Sequence, residues 1–397
     1  MAIFDPAAAT AQWLATLSPE ETARAIAYTQ GGHWLILWGA VVSIAVAWII
    51  IRSNLLVTVR EAIERRKGRP VLASFVVGLV YLAVSWPLTL PWAIYSEWYR
   101  EGQYGLTEQP FTGWLVEALI GAAISTVLTG VLLIGIYALI RRARAFWWAW
   151  AAGLTALGVI FMLVISPILI EPLFNTYTPA PDGPVRDAVV ALAETTGTPS
   201  DKIYIYDGSK QSDRYTANVS GLFGSARVAM SDVMFAKGAD LAEVRAVVGH
   251  EMGHYVRGHI LWLVGVMIVL AALALWLTDR FYPAARRLLG ARNVGDIRDP
   301  AGLPVLGAVL TVIGVLATPV LSGMTRFTEA DADHFSMIYA NEPDGLSKAL
   351  IKTAEYRAPS PSAIEEFIFY DHPSVGSRIR KAMEWKAAHP AGPPSTP

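Results

Sequence analysis

Six stretches of this chain, 34–51, 71–95, 118–140, 146–170, 260–277 and 303–324, contain no Asp, Glu, Lys or Arg, and the shortest of them runs to 18 residues. At 1.5 Å of rise per residue, each is long enough to cross about 30 Å of hydrocarbon. Inside a bilayer every backbone N–H and C=O has to find its partner within the segment, so each of these runs is expected to be a transmembrane helix. The composition agrees: 54% of the 397 residues are hydrophobic and only 16% charged, with a mean hydropathy of +0.40, outside the range of ordinary soluble domains. Trp and Tyr crowd the ends of the runs, as expected at headgroup depth. Pro87 and Pro91 in the second predict a kink or an early exit from the membrane.

The polar remainder falls into blocks. The expected plan is an amphipathic N-terminal segment at 1–32, a four-helix transmembrane region at 33–172, a mixed α+β segment at 173–259, a transmembrane hairpin at 260–324, a second polar segment at 325–389 and a flexible Pro-rich tail at 390–397. Ser18-Pro19-Glu20-Glu21 has the spacing of a capping box with Pro at the first helical position, predicting a short helix before the first span. No cleavable signal peptide is visible, so the first span is expected to act as the targeting signal. In the mixed segment the pattern predicts a helix at 184–194, a strand at 202–206, two short strands within 214–230 around Gly221 and Gly224, and a helix at 241–258. No internal repeat is seen. The expected fold class is thus a mainly α integral membrane protein with about six transmembrane helices and a small α+β domain built from two chain segments.

The helix at 241–258 carries His250-Glu251-Met252-Gly253-His254. On a helix, positions i and i+4 share a face, so both imidazoles can reach one Zn²⁺ at about 2.0 to 2.1 Å, with Glu251 beside the water that the metal would activate. Spans five and six form a hairpin, so residues just before the fifth and just after the sixth lie on the same side. That places Glu329 as the third ligand and Asp333, one turn further on the same face, where it can orient an imidazole N–H. One zinc ion per chain is expected, with one position left for water and Glu251 as general base. The chain has no cysteine, which excludes disulfides, thiolate ligands and a cysteine nucleophile. His259 and His334 are expected to be structural. A net charge of −1 gives no reason to expect a nucleic-acid partner.

Beyond this motif, the chain resembles the type I CaaX prenyl endopeptidases, integral-membrane zinc proteases of the gluzincin kind, together with their bacterial relatives. The resemblance spans about residues 97–380. It rests on Glu101-Gly102-Gln103-Tyr104-Gly105-Leu106, Glu171-Pro172-Leu173-Phe174-Asn175, Gly208-Ser209-Lys210, the strand region 221–232, the zinc helix, Arg326-x-x-Glu329-x-x-x-Asp333, and His372-Pro373 with Arg378 six residues after the histidine. It implies His250, His254 and Glu329 as zinc ligands and Glu251 as general base. It also implies Asp333, with Arg326 and Arg378, as partners behind the ligands, and His372 and Arg378 near the transition state or in the scaffold of the site. Two departures stand out. Thr216-Ala217-Asn218 replaces the family's Asn-Ala-aromatic pattern on the substrate-pairing strand, and six spans are counted where eukaryotic members have seven, so a closed intramembrane chamber is not implied for this chain.

Substrate is expected to add as an extended strand along 216–221, laying its amide across the metal, with Thr216, Ala217 and Asn218 as contacts. His372 is the leading donor to the tetrahedral oxyanion. The expected partners are a peptide or protein substrate at the membrane and the lipid bilayer itself, in a multi-pass protein of the bacterial inner membrane. Sidedness receives two opposite readings. The loops 52–69, 141–144 and 279–302 hold six, three and five basic residues and all lie across the membrane from the metal site, so the positive-inside rule puts that site outside the cytoplasm. The resemblance to eukaryotic members implies the cytosolic face. Three functions stay open: cleavage of prenylated CaaX tails, membrane-protein quality control, and, from another class, a non-catalytic scaffold or transporter with structural zinc.

Overall fold

The structure is a computed structural model that describes residues 4–65, 68–221 and 226–390. The tail expected from residue 390 lies, but for its first residue, outside the described residues, as does Gly224. The helices, in chain order, are α1 (Pro6–Leu14), α2 (Pro19–Ser53), α3 (Leu55–Glu64), α4 (Pro70–Ala93), α5 (Arg100–Gln103), α6 (Phe111–Arg142), α7 (Trp147–Ile165), α8 (Pro184–Thr196), α9 (Asp232–Ala236), α10 (Leu241–Val256), α11 (His259–Leu288), α12 (Leu303–Tyr339), α13 (Pro343–Thr353), α14 (Ala363–Phe369) and α15 (Val375–Ala388). The strands are β1 (Tyr177–Pro179), β2 (Ile203–Tyr206), β3 (Ala217–Ser220) and β4 (Arg227–Ser231).

Among the described residues six helical stretches are long and apolar enough to cross a membrane, and each contains one of the six uncharged runs. Large apolar side chains on them face outward: Leu316 is 73% exposed and Leu157 66%. Water would penalise such a surface at about 25 cal/mol per Å² of apolar area, whereas lipid does not, so this is the surface of an integral multi-pass membrane protein.

One expectation is corrected here. The capping box at Ser18 is present, with Glu21 reaching back to the Ser18 N–H, yet the helix it starts does not stop before the membrane. It runs on through the first span as the single 35-residue α2, because no proline stands between Glu21 and Trp34 and the pair Gly31-Gly32 weakens a helix without ending it. The separate N-terminal helix is α1, whose Ala9, Trp13 and Leu14 pack on Val375, Ile379 and Met383 in the C-terminal segment. At Pro87 and Pro91, expected to kink the span or end it early, the chain stays helical. α4 holds both prolines and continues through a π-helical stretch (Ile94–Tyr99) into α5.

The mixed segment forms a four-stranded sheet in the order β1-β2-β4-β3, with β2 and β4 parallel and the outer pairs antiparallel. β4 is buried throughout, and β3 is left as an edge. β1 is an additional strand that the sequence pattern did not show. Val189 and Leu192 of α8, Met230 of β4, Val248 and Met252 of α10 and Phe335 of α12 make one core.

Two features bring α10 against α12. Asp240 caps α10 by accepting from the Glu243 N–H while the Glu243 side chain accepts from the Asp240 N–H. Gly249 and Gly253 then present a bare backbone to α12: a Cβ on Gly253 would stand 3.0 Å from Phe335 Cβ and 3.2 Å from Ala332 Cα. Ser336 Oγ donates to Ala246 O across this contact at 2.7 Å.

Candidate metal centre

His250 and His254 project from α10, and Glu329 from the contacting stretch of α12. Their ligand atoms converge. His250 Nε2 lies 3.1 Å from His254 Nε2 and 3.2 Å from Glu329 Oε2, and His254 Nε2 lies 3.4 Å from Glu329 Oε1. A tetrahedral ion with bonds of 2.0 to 2.1 Å has ligand-to-ligand edges of about 3.3 to 3.4 Å, so the three donors are already spaced to share one. Oε2 of Glu329 is buried without a hydrogen-bond partner. That is the arrangement of groups aimed at a common point, and the two nitrogens and one carboxylate are a donor set suited to zinc.

The electrostatics favour a cation at this point. Burial pushes the His250 imidazole pKa down, but the hydrogen bond to Asp333 and the negative charge of Glu329 and Asp333 outweigh it and hold it at about 10. The same carboxylates that retain a proton there would stabilise a metal in its place, since binding exchanges one for the other. Behind the ligands, Nδ1 of His250 donates to Asp333 Oδ1 at 2.9 Å. Asp333 is buried and accepts two bonds from Arg378, of 2.6 and 2.7 Å. There a bidentate guanidinium compensates a desolvated carboxylate, and Arg378 also borders the cleft in front of the ligands.

Glu251 lines a cleft of about 490 Å³ in front of the ligands, with Thr216, Ala217, Arg357 and His372. Desolvation raises its carboxyl pKa above the ordinary value. His372 Nε2 reaches to 3.1 Å from Glu329 Oε2, while Nδ1 donates to Asp371 Oδ1 at 2.8 Å. Burial lowers the His372 imidazole pKa against the pull of Asp371. Arg357, not anticipated from the sequence, places Nη2 3.4 Å from His372 Nε2.

Arg326 stands elsewhere. It donates to the carbonyls of Glu366, Phe367 and Tyr370, the free C-terminal carbonyls of α14, and touches none of the metal-facing residues. It holds the turn that delivers His372, which corrects its expected place behind the ligands. The substrate strand is corrected in detail. Ser231 N–H donates to Thr216 O at 3.0 Å, so by the alternation of an antiparallel ladder the backbone groups of Thr216 and Asn218 face β4, and those of Ala217 and Val219 face the open edge. Of the three expected contacts, Ala217 offers its backbone to the open edge, while Thr216 and Asn218 turn theirs to β4, Thr216 still lining the cleft.

Of the two histidines expected to be structural, His334 packs edge-on against Trp385 away from the site. His259 does not stay away: its Nδ1 lies 3.0 Å from His254 Nδ1. Other motif residues are ties. Glu101 accepts from Tyr28 and Arg214, linking α2 to the approach of β3, and Glu171 accepts from Tyr177 and Arg227. On the membrane side, α6, α7 and α11 border a cavity of about 1010 Å³, lined by Leu132, Leu154, Phe161 and Leu263, that reaches His254 and Ser220.

Comparison with known proteins follows this geometry. The family model described as peptidase family M48 matches residues 179–386, and that described as CAAX prenyl protease N-terminal, five membrane helices, matches 7–176. In that second region this chain has four long apolar helices among the described residues. The chain is 25% identical over 374 residues to the uncharacterized metalloprotease YhfN of Bacillus subtilis, covering 92% of this chain and 86% of the other. It is 24% identical over 362 residues to CAAX prenyl protease 1 of Saccharomyces cerevisiae, covering 86% and 76%. The crystal structure of S. mikatae Ste24p has the same fold, with a TM-score of 0.74 over 93% of this chain and 89% of that one at 21% identity.

Proposed function

This chain belongs to peptidase family M48 and is an integral-membrane metalloendopeptidase; we propose that it holds one zinc ion between His250, His254 and Glu329 and cuts membrane-associated polypeptides, prenylated CaaX-type tails among them. The observation that carries this reading is the convergence of three donor atoms at 3.1 to 3.4 Å beside Glu251. A zinc ion there supplies Lewis acidity and brings the pKa of water toward about 7.

The protein's own groups do the rest. The free edge of β3 holds an extended peptide through the N–H and C=O of Ala217 and Val219, presenting its amide to the cleft. Glu251 takes the proton of the attacking water and returns it to the leaving amine; its raised pKa lets it hold that proton between the two events. His372, with its Nδ1–H held by Asp371, stands on the side of the carbonyl oxygen and donates to it through Nε2–H as the imidazolium, the form the developing oxyanion favours; such a contact is worth about 3 kcal/mol of barrier in comparable donors. Arg378 and Asp333 keep His250 in the tautomer that leaves Nε2 free. The apolar cavity beside His254 suits a lipid-modified or strongly apolar substrate, in keeping with the CAAX prenyl protease name of the yeast relative.

The test uses purified wild type and Glu251→Gln, with zinc measured and cleavage followed on farnesylated CaaX peptides and on unprenylated, unfolded membrane-proximal peptides. A Gln variant that keeps zinc and loses activity by about 10²-fold or more supports the assignment. Undiminished cleavage overturns it. Equal rates on the two peptide classes would overturn the prenyl preference alone.

A further inference from the structure

The turn after α10 returns an imidazole to the site. α10 ends at Val256, Gly258 adopts φ 65°, and α11 begins at His259. A left-handed φ comes without strain to a glycine, and it changes the chain's direction before the next helix starts. On an uninterrupted helix the residue five beyond His254 would lie on another face. Here His259 is only 5% exposed, with Nδ1 3.0 Å from His254 Nδ1 and Nε2 3.0 Å from Asp331 Oδ2.

We infer that His259, backed by Asp331, is a positioning residue for His254, accepting its Nδ1–H and so fixing the tautomer and ring orientation that point Nε2 at the metal. The inference rests on the metal-facing reading of His250, His254 and Glu329. Proton bookkeeping selects this direction. A nitrogen that ligates a metal must be free of its proton, so His254 carries its hydrogen on Nδ1. That hydrogen meets Nδ1 of His259, which must then be the unprotonated nitrogen of its ring. The remaining N–H of His259 is on Nε2 and donates to the Asp331 carboxylate. Each ring keeps one proton and each N–H has an acceptor. The reverse direction would set the lone pair of His259 Nε2 against the Asp331 carboxylate, which is repulsive, and would put the His254 proton at the metal position.

The two histidine ligands are thus supported differently. His250 meets its carboxylate, Asp333, directly, whereas an imidazole spans the distance between His254 and Asp331. Asp331 is on α12, so the tie joins the end of α10 to both arms of the membrane hairpin. Spreading the hairpin would turn His254.

The experiment measures zinc affinity of the detergent-purified full chain by competition with a chromophoric chelator, together with the visible spectrum of the cobalt(II)-loaded protein. Partners behind a ligand are typically worth about 10- to 100-fold in metal affinity, so His259→Ala is expected to weaken zinc by that range and to shift the cobalt bands. Asp331→Asn, which keeps the side-chain shape, should move both readouts in the same direction by less. His259→Gln, which can offer an acceptor again, should recover part of the loss. His334→Ala serves as the control and should bind zinc as wild type does. Wild-type affinity, within about threefold, and an unchanged cobalt spectrum in His259→Ala would overturn the inference. Should that variant not fold, the same result in Asp331→Asn overturns it. A wild-type chain that binds no zinc would instead defeat the proposed function, so the two failures are distinguishable.

Discussion

At the scale of single residues, the site depends on buried charges that tolerate no vacancy. Asp333 is only 7% exposed, and the Arg378 guanidinium cancels its charge through two hydrogen bonds. Removing one partner of a buried pair strands the other and costs about 3 to 5 kcal/mol, more than the pair itself contributes. Arg378→Ala is therefore expected to lower the melting temperature sharply and to weaken zinc. Adding Asp333→Asn should restore part of the thermal loss, because the stranded charge is gone. Strictly additive losses in the melting curves of the two single variants and the double variant would contradict this account. Arg378→Lys should rescue poorly, having no planar fork to match both oxygens.

Among elements, the decisive contact is α10 on α12. The Gly253→Ala change sets two effects against each other. Alanine favours the helix by up to about 1 kcal/mol, but the added methyl meets Phe335 Cβ at 3.0 Å and the backbone of Ala332 at 3.2 Å, and overpacking of this kind costs about 1 to 3 kcal/mol. Backbone cannot swing aside as a side chain can, so the steric effect should win. The helices would part, carrying Glu329 away from the histidines. The expected outcome is a less stable protein with weaker zinc binding, read by melting curves and chelator competition; a Gly253→Ala variant as stable and as tight for zinc as wild type would show that the contact is loose. Much of this level was legible beforehand. The spacing of His250 and His254 required a helix, and the structure shows it as α10. β1 was not legible, since three residues ending in Pro179 carry no alternation long enough to notice. Nor was the reach of α2, because a cap marks where a helix begins and says nothing about where it ends.

For the whole molecule, the open matter is which face of the membrane carries the site. The basic loops gather at the end remote from the metal: Arg60 pairs with Asp299 and Asn293 donates to Asn54, joining the 52–69 and 279–302 loops. The charge bias there favours a cytoplasmic position for that end, and hence an extracytoplasmic peptidase. Since the chain has no cysteine, single substitutions Ser209→Cys and Ser53→Cys report on the two faces directly. In intact cells an impermeant thiol reagent is expected to label the first and spare the second. The opposite pattern would place the peptidase in the cytoplasm.

Periodicity, charge and spacing along the chain were enough to determine that six stretches are long and apolar enough to cross a membrane, that His250 and His254 share a helical face, and that Glu329 returns to the same side. These are local or topological properties: a helix repeat places i and i+4 together whatever surrounds it, and a hairpin brings its two ends to one face. Tertiary structure alone decided which groups stand behind the ligands. Arg326 went to the carbonyls of α14, Arg378 to Asp333, and His259, five residues beyond a ligand, came back to it because Gly258 turned the chain. Hydrogen bonds of that kind depend on side-chain positions to within a few tenths of an ångström, and those positions exist only once helices distant in sequence have packed.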